Sequence, residues 1–331
     1  MNLSVFKDKK PGSFRELGLL AFIVVISLLV EIRNPMFFTL SNLEDIGVNT
    51  AILSILAVGM MMVLLTAGID LSIGATIAFS GMCVALTLEA HPELPVGVAL
   101  VEGILLGAVI GLILGIFISR FNILPIIASL GMMDIVRGFT YVVSKSKWVS
   151  AYQMPDDFKN FATGNIFGIS NFIIIAIIVY VCFFYFINYT KVGRWIYAVG
   201  SNPAAAKISG IPKRRVIALV YMLMGALAGL AGVLWVSKYA SAQGNTAEGE
   251  EMSVIAACVI GGVSITGGRG KVSGLILGCL LFGILDNALP LINVSPFWQK
   301  AIQGAVILTA VVANAVIRRQ SDLKALKSRK I

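Results

Sequence analysis

The sequence predicts an all-α membrane protein, a polytopic bundle of about ten transmembrane helices, and three observations carry that prediction. Of the 331 residues, 58% are hydrophobic and only 13% are charged, and the mean hydropathy is +0.91. A soluble domain carries roughly 25% charged residues to cover its surface. Apolar runs recur along the whole chain, many of them able to cross a hydrocarbon core about 30 Å thick. Between them, Lys and Arg gather in short polar segments, the pattern that sets orientation in a membrane. The net charge of +9 is therefore a topology signal rather than a nucleic-acid footprint.

In chain order the runs fall at 17–32, 46–66, 71–89, 96–119, 123–143, 171–188, 216–236, 253–266, 272–290 and 298–317. Lys7, Lys9 and Lys10 precede the first run and no small-residue cleavage site follows it, so it is expected to be a retained helix rather than a removed signal peptide. Ten spans with the N-terminus inside place 1–16, 120–122, 189–215, 267–271 and 318–331 in the cytoplasm, and these segments hold 19 of the 26 basic residues. Glu248, Glu250 and Glu251 fall outside. The whole chain, 1–331, reads as one transmembrane domain with a short N-terminal arm (1–16), a cytoplasmic segment (189–215) and a cytoplasmic tail (318–331). Gly103, Gly107, Gly111 and Gly115 form a stripe of small residues that predicts close helix–helix approach. Thr66–Gly74 resembles Thr266–Gly274, but both fall on the same expected side, so the pair does not support an inverted repeat.

Enzyme signatures are missing. The single histidine, His91, sits in a polar loop beside Pro92, and there is no HExxH or GxSxG. Cys83, Cys182, Cys258 and Cys279 lie in apolar runs without ligand spacing and read as small hydrophobes. Gly267–Val272 (GGRGKV) lacks the first glycine and the Ser/Thr of a phosphate loop, so any coupling to ATP must come from a partner. In the cytoplasmic segment, Ser201 or Asn202 can cap a helix that starts at Pro203 and is stopped by Gly210 and Pro212. Ala204, Ala205 and Ile208 offer it an apolar face. Two turns do not persist alone in water, so the segment is either an ordinary structured loop or a docking element.

Polar groups within or between the runs need reasons, because a charge at mid-membrane costs roughly 2.5–3.5 kcal/mol on insertion scales. In Thr66–Gly74, Asp70 or Ser72 can cap the following helix, or this broken stretch can line a transport path. Asp134 and Arg137, three residues apart, can neutralise each other or line the path. Glu102 lies near the start of its span, where the helix dipole favours it. Asp286 lies near a helix end where the dipole opposes it, and with Asn287 it suggests a polar cluster facing a cavity.

Four blocks now carry a resemblance. GIDLSIG (Gly68–Gly74), GRWIYAVGSNPAAAKISGI (Gly193–Ile211), VIGGVSITGGRGKVSG (Val259–Gly274) and LDNALPLINVSPFWQ (Leu285–Gln299) resemble, in order and spacing, the ribose-type ABC importer permeases. The related branched-chain amino-acid permeases share the first block and fit the others less well. The resemblance implies a fold like that of the vitamin B12 importer permease, and a permease dimer, homo- or heteromeric, in a bacterial inner membrane. It also implies two partner ATPase subunits that hold ATP and Mg, with no cofactor in this chain, and an external binding protein that delivers a sugar or sugar-like solute. It places the ATPase-coupling helix on Asn202, Pro203, Ala204, Ala205, Lys207, Ile208 and Gly210. Ribose-type members tend to carry Asn-Asn where this chain has Asp286-Asn287, which counts against ribose itself. Autoinducer-2, nucleosides, riboflavin or amino acids are alternative cargoes, and an ion-coupled secondary transporter or a membrane-embedded enzyme are alternative classes.

Overall fold

Residues 11–295, with nine further positions between 298 and 312, are described by a computed structural model. They form α1 (Pro11–Arg33), α2 (Leu40–Leu65), α3 (Ile73–Ala90), α4 (Val96–Phe121), α5 (Pro125–Val143), α6 (Asp156–Thr163), α7 (Asn171–Tyr189), α8 (Lys191–Ser201), α9 (Pro203–Ile208), α10 (Lys213–Tyr239), α11 (Glu250–Ile260) and α12 (Val272–Leu291). A two-residue antiparallel ladder, Asn165–Ile166 with Ile169–Ser170, precedes α7. Helices α2, α3, α4, α5, α7, α10 and α12 are long and apolar enough to cross a membrane by length and composition. The 23-residue α1 covers the first expected span. Residues 1–10, most of the expected span 298–317, and the tail 318–331 lie outside the described residues.

The expected span 253–266 is not a full crossing. Helix α11 has 11 residues, about 16 Å of helix against a core of about 30 Å. It ends because Gly262 turns left-handed at φ +97°. The N–H of Val263 then donates to the carbonyl of Cys258 at 2.9 Å, and that of Gly262 to Val259 at 3.0 Å. This is a glycine-terminated helix end that satisfies otherwise orphaned carbonyls.

Helix α2 is the axis of the bundle, buried without interruption from Thr50 to Leu65, as expected of a helix that is apolar all round. Beside it α4 and α10 run antiparallel with their backbones in contact. A Cβ on Gly107 would sit 2.0 Å from the carbonyl oxygen of Gly225, and one on Gly229 would sit 2.0 Å from that of Gly103. Gly111 meets Tyr221 and Gly115 meets Ala218 in the same way. The stripe of four glycines is thus a packing seam.

Contacts sort the connections into two ends. At one end the Arg15 guanidinium donates to the carbonyls of Val259 and Ile260 at 2.9 and 3.4 Å, Glu16 pairs with Lys271 at 3.6 Å, and Tyr197 donates to Gly270 at 2.9 Å. At the other, Asn34 donates to Leu291 at 2.9 Å, Gln153 to Glu89 at 2.6 Å, and Val149 bridges Ala242. The first end holds residue 16 and parts of 189–215 and 267–271; the second holds the far ends of α1, α3, α10 and α12.

Two connections leave these ends and dip into the bundle. Gly81 packs on Gly232, a Cβ there lying 2.9 Å from the Gly232 carbonyl. The start of α3 is therefore about 10 Å deeper, beside the middle of α10, and residues 66–72 climb from the end of α2 to reach it. From the opposite end residues 240–249 descend, so that Ala247 meets Gly74, a Cβ on Gly74 lying 2.4 Å from the Ala247 carbonyl. Irregular backbone at this depth is tolerated because protein surrounds it.

The seam gives the first prediction. Replacing Gly107 with Val forces a side chain into the Gly225 backbone, and overpacking of this kind costs typically 1–3 kcal/mol or more. Thermal denaturation of the detergent-solubilised protein is expected to show a clear drop in Tm for Gly107→Val. Gly131→Val, with nothing among the described residues within 4 Å of a Cβ at Gly131, is expected to leave Tm near the wild-type value.

Candidate functional site

Asp70 and Ser72 lie at the deep break before α3, both buried. Asp70 Oδ1 accepts the Ser72 N–H at 2.8 Å and the Ser72 hydroxyl at 2.6 Å. Ser72 occupies the N-cap position but makes no side-chain cap bond, because its hydroxyl is turned to Asp70. The cap expected from Ser72 is replaced by an aspartate-closed turn. Tyr221 pins the same stretch by donating to the Ile69 carbonyl at 3.2 Å.

Asp134 and Arg137 do not pair. Asp134 lies on the exposed face of α5, whereas Arg137 turns inward and donates to the carbonyls of Gly244 and Thr246, both at 2.8 Å. Two fixed carbonyls of a descending loop suit one guanidinium better than a carboxylate on the exposed face of the same helix. Helix α11 is thereby held at both ends, by Arg137 on the loop before it and by Arg15 on its last carbonyls. The second contact also places a cation where the helix dipole favours one. Glu102, near the start of α4, accepts from Thr87 at 2.8 Å. His91 is an exposed loop residue 3.4 Å from Glu93.

Asp286 and Asn287 do enter a polar cluster, and the sequence reading missed its other members. Asn287 donates to Asn42 at 2.9 Å, and its own buried carbonyl oxygen has no hydrogen-bond partner among the described residues. Lys238, at the end of α10, donates to Asn49 and lies 5.0 Å from the Tyr239 ring centroid. Glu250, the first residue of α11, lies among Asp286, Glu251 and Lys238. The contacts join positions 42, 49, 238, 250 and 286–287, which no local pattern connects.

An apolar crevice of about 250 Å³ opens between α4 and α5, with Phe79, Ile110, Phe117, Met132, Val136 and Phe139 in its wall. A polar solute would find no hydrogen-bond partners there. The polar cluster and the broken segments are the better candidates for a passage.

At the opposite end, the segment Gly193–Pro212 forms what its residues predict. The Asn202 side chain accepts from the N–H groups of Ala204 and Ala205 at 3.1 and 3.0 Å, Pro203 opens α9, and Gly210 turns left-handed at φ +74°. Ala204, Ala205, Lys207 and Ile208 are exposed, Ile208 at 89%. The sequence reading missed α8, an 11-residue amphipathic helix that buries Gly193, Ile196, Val199 and Gly200 and carries α9. Its signal was present in the spacing of those four residues.

Residues 42–311 match the family described as branched-chain amino acid transport system / permease component. The chain belongs to that family. The permease is similar to the ribose import permease protein RbsC of Escherichia coli strain K12, at 38% identity over 92% of this chain and 95% of the relative. It is also similar to the L-arabinose ABC transporter permease protein AraH of Azospirillum brasilense, at 33% over 92% and 88%. The D-allose transport system permease protein AlsC of Escherichia coli strain K12 is 32% identical over 96% and 95%. No solved structure matches the permease. It is a multi-pass membrane component of a transport system, and the chemistry of energy coupling belongs to other subunits.

Proposed function

We propose that the permease is the membrane subunit of an ATP-driven importer for a sugar or sugar-like solute. The observation that carries the energy source is α9, a capped helix of six residues with its apolar side in solvent. Capped by Asn202 and seated through the buried Ala206, it leaves Ala204, Ala205 and Ile208 exposed as a face that a partner can cover. The sequence has no phosphate loop of its own, so a separate ATPase is the partner that fits, with ATP and Mg held there. The names of the relatives, import and transport permeases for ribose, L-arabinose and D-allose, support the solute class. Asp286, where ribose-type members tend to carry Asn, counts against ribose.

The polar ring of Asp286, Asn287, Asn42 and Glu250 at the outer part of the bundle is the proposed mouth of the passage, facing an external binding protein. Asp70 and Ser72 mark the deep break beneath it. Asp134 would cost roughly 2.5–3.5 kcal/mol against lipid, so its face of α5 is assigned to the passage between this permease and a second permease subunit. The end bearing α8, α9 and Lys271 is assigned to the cytoplasm of a bacterial inner membrane, with both termini on that side.

Two measurements test this. Ala205→Glu places a charge in the proposed contact, and an uncompensated buried charge costs about 3–5 kcal/mol. Association with the ATPase should weaken about 100-fold or more, read by co-purification, while the variant still inserts in the membrane. Undiminished association removes α9 as the docking helix. Separately, single cysteines at Lys207 and Asn245 in a cysteine-free background should react with an impermeant maleimide from opposite sides of the membrane. Reaction of both from outside intact cells overturns the orientation.

A further inference from the structure

Three chain breaks converge where α8 meets the bundle, and they meet backbone to backbone. A Cβ on Gly200, at the end of α8, would sit 1.7 Å from the Leu65 carbonyl oxygen and 2.8 Å from the Gly268 nitrogen. The Gly268 N–H donates to that same Leu65 carbonyl at 2.9 Å. A Cβ on Gly268 would fall 2.6 Å from Ser201 Cα, and one on Gly267 would fall 2.8 Å from the Gly200 carbonyl. Ala67 turns left-handed here, at φ +60°, which is strained for a residue with a Cβ. Beside the junction, the Tyr197 hydroxyl donates to the Gly270 carbonyl at 2.9 Å.

What these breaks lead to gives the junction its meaning. Leu65 ends α2 and opens residues 66–72, the climb to α3. Gly267–Gly270 belong to the connection out of α11. Helix α3 begins deep in the bundle, where its Gly74 meets Ala247 of the loop that leads into α11. On the other side, Asn202 is at once the last cap of α8, its N–H donating to Ala198 at 3.1 Å, and the first cap of α9. A single residue joins the exposed helix to the one seated on the junction, so α8 and α9 move together. With no flexible side chain between Gly200, Leu65 and Gly268, a shift of α8 has no slack to absorb it.

We propose that the Leu65–Gly200–Gly268 junction is the linkage through which docked α9 moves the two deep segments, with Tyr197 as its positioning residue. The inference rests on the reading of α9 as the ATPase contact. The junction holds the start of residues 66–72 directly and reaches residues 240–249 through the Gly74–Ala247 contact, so one displacement at the basic end re-aims the start of α3 and, through it, the loop before α11. Tyr197 keeps the connection after α11 registered to α8 while the glycines supply the close fit.

The test uses the complete complex of permease and ATPase in lipid nanodiscs. Cys83, Cys182, Cys258 and Cys279 are replaced by Ala, and nitroxide labels are placed at Glu93→Cys and Asn245→Cys. These exposed positions report on the outer end of α3 and the loop before α11. The label–label distance is measured without nucleotide and after trapping with ATP, Mg and vanadate. The wild type is expected to trap nucleotide and populate a second distance. Tyr197→Phe, which loses one hydroxyl, is expected to trap the same amount of nucleotide, with the ratio of shifted to unshifted populations falling about fivefold, as for one lost hydrogen bond. Gly200→Ala, which forces α8 off Leu65, is expected to lower it further. A full wild-type shift in Tyr197→Phe overturns the linkage, as does a wild type that traps nucleotide without any shift. Failure of the wild type to trap nucleotide overturns the ATPase reading beneath it, and is distinguished by nucleotide content alone.

Discussion

Contact between the backbones of α4 and α10 is the constraint on which the rest of the bundle depends. Lipid tails are as apolar as leucine, so burying apolar side chains gives two helices little reason to associate in a membrane. Close approach supplies the reason, through dense van der Waals contact along a shared seam. Gly103, Gly107 and Gly111 on one helix interlock with Gly229, Gly225 and Tyr221 on the other, and no larger residue fits at the glycine positions. Helix α10 then offers its remaining faces to α2 and α3. Its far ends meet α8 and the loop that descends to α11.

Helices outside that frame are held differently. Helix α5 buries only Ser129, Val136 and Thr140, and Arg137 fastens it to the carbonyls of a loop rather than to another helix. Helix α11 depends on two guanidinium contacts and on the close backbone approaches Gly261–Gly274 and Ala257–Gly278. The polar bonds in this permease therefore collect where the chain is irregular, and the apolar contacts where it is regular. A broken helix exposes carbonyls that lipid cannot satisfy, and arginine donates to several of them at once.

The sequence made much of this legible, and the limits follow from range. The α9 helix was readable residue by residue, because Asn202, Pro203 and Gly210 act on their own neighbours. The glycine stripe announced a close contact but not its partner, since α10 carries its own glycines more than a hundred residues away. Arg137 illustrates the failure more sharply. Its nearest opposite charge along the helix is Asp134, yet its partners are 107 and 109 residues distant. The cluster around Glu250 was invisible for the same reason. Helix α11 was mistaken for a full span because Val263 and Ile265 continue the apolar composition past Gly262, where the backbone turns.

The half-length of α11 has a consequence for how the polypeptide is built into the membrane. Inserted alone, a helix of about 16 Å covers only about half of the hydrocarbon core, and the irregular backbone that continues it would face lipid. Protein surrounds it instead: Arg15 of α1 donates to its last carbonyls, Arg137 of α5 donates to the loop before it, and Ala57 of α2 accepts from the Cys258 thiol at 3.5 Å. Stepwise integration of hydrophobic segments in order of synthesis therefore cannot place α11 by itself. Its seat is built from α1, α2 and α5, helices made much earlier, so the C-terminal third is expected to settle only once those are in place.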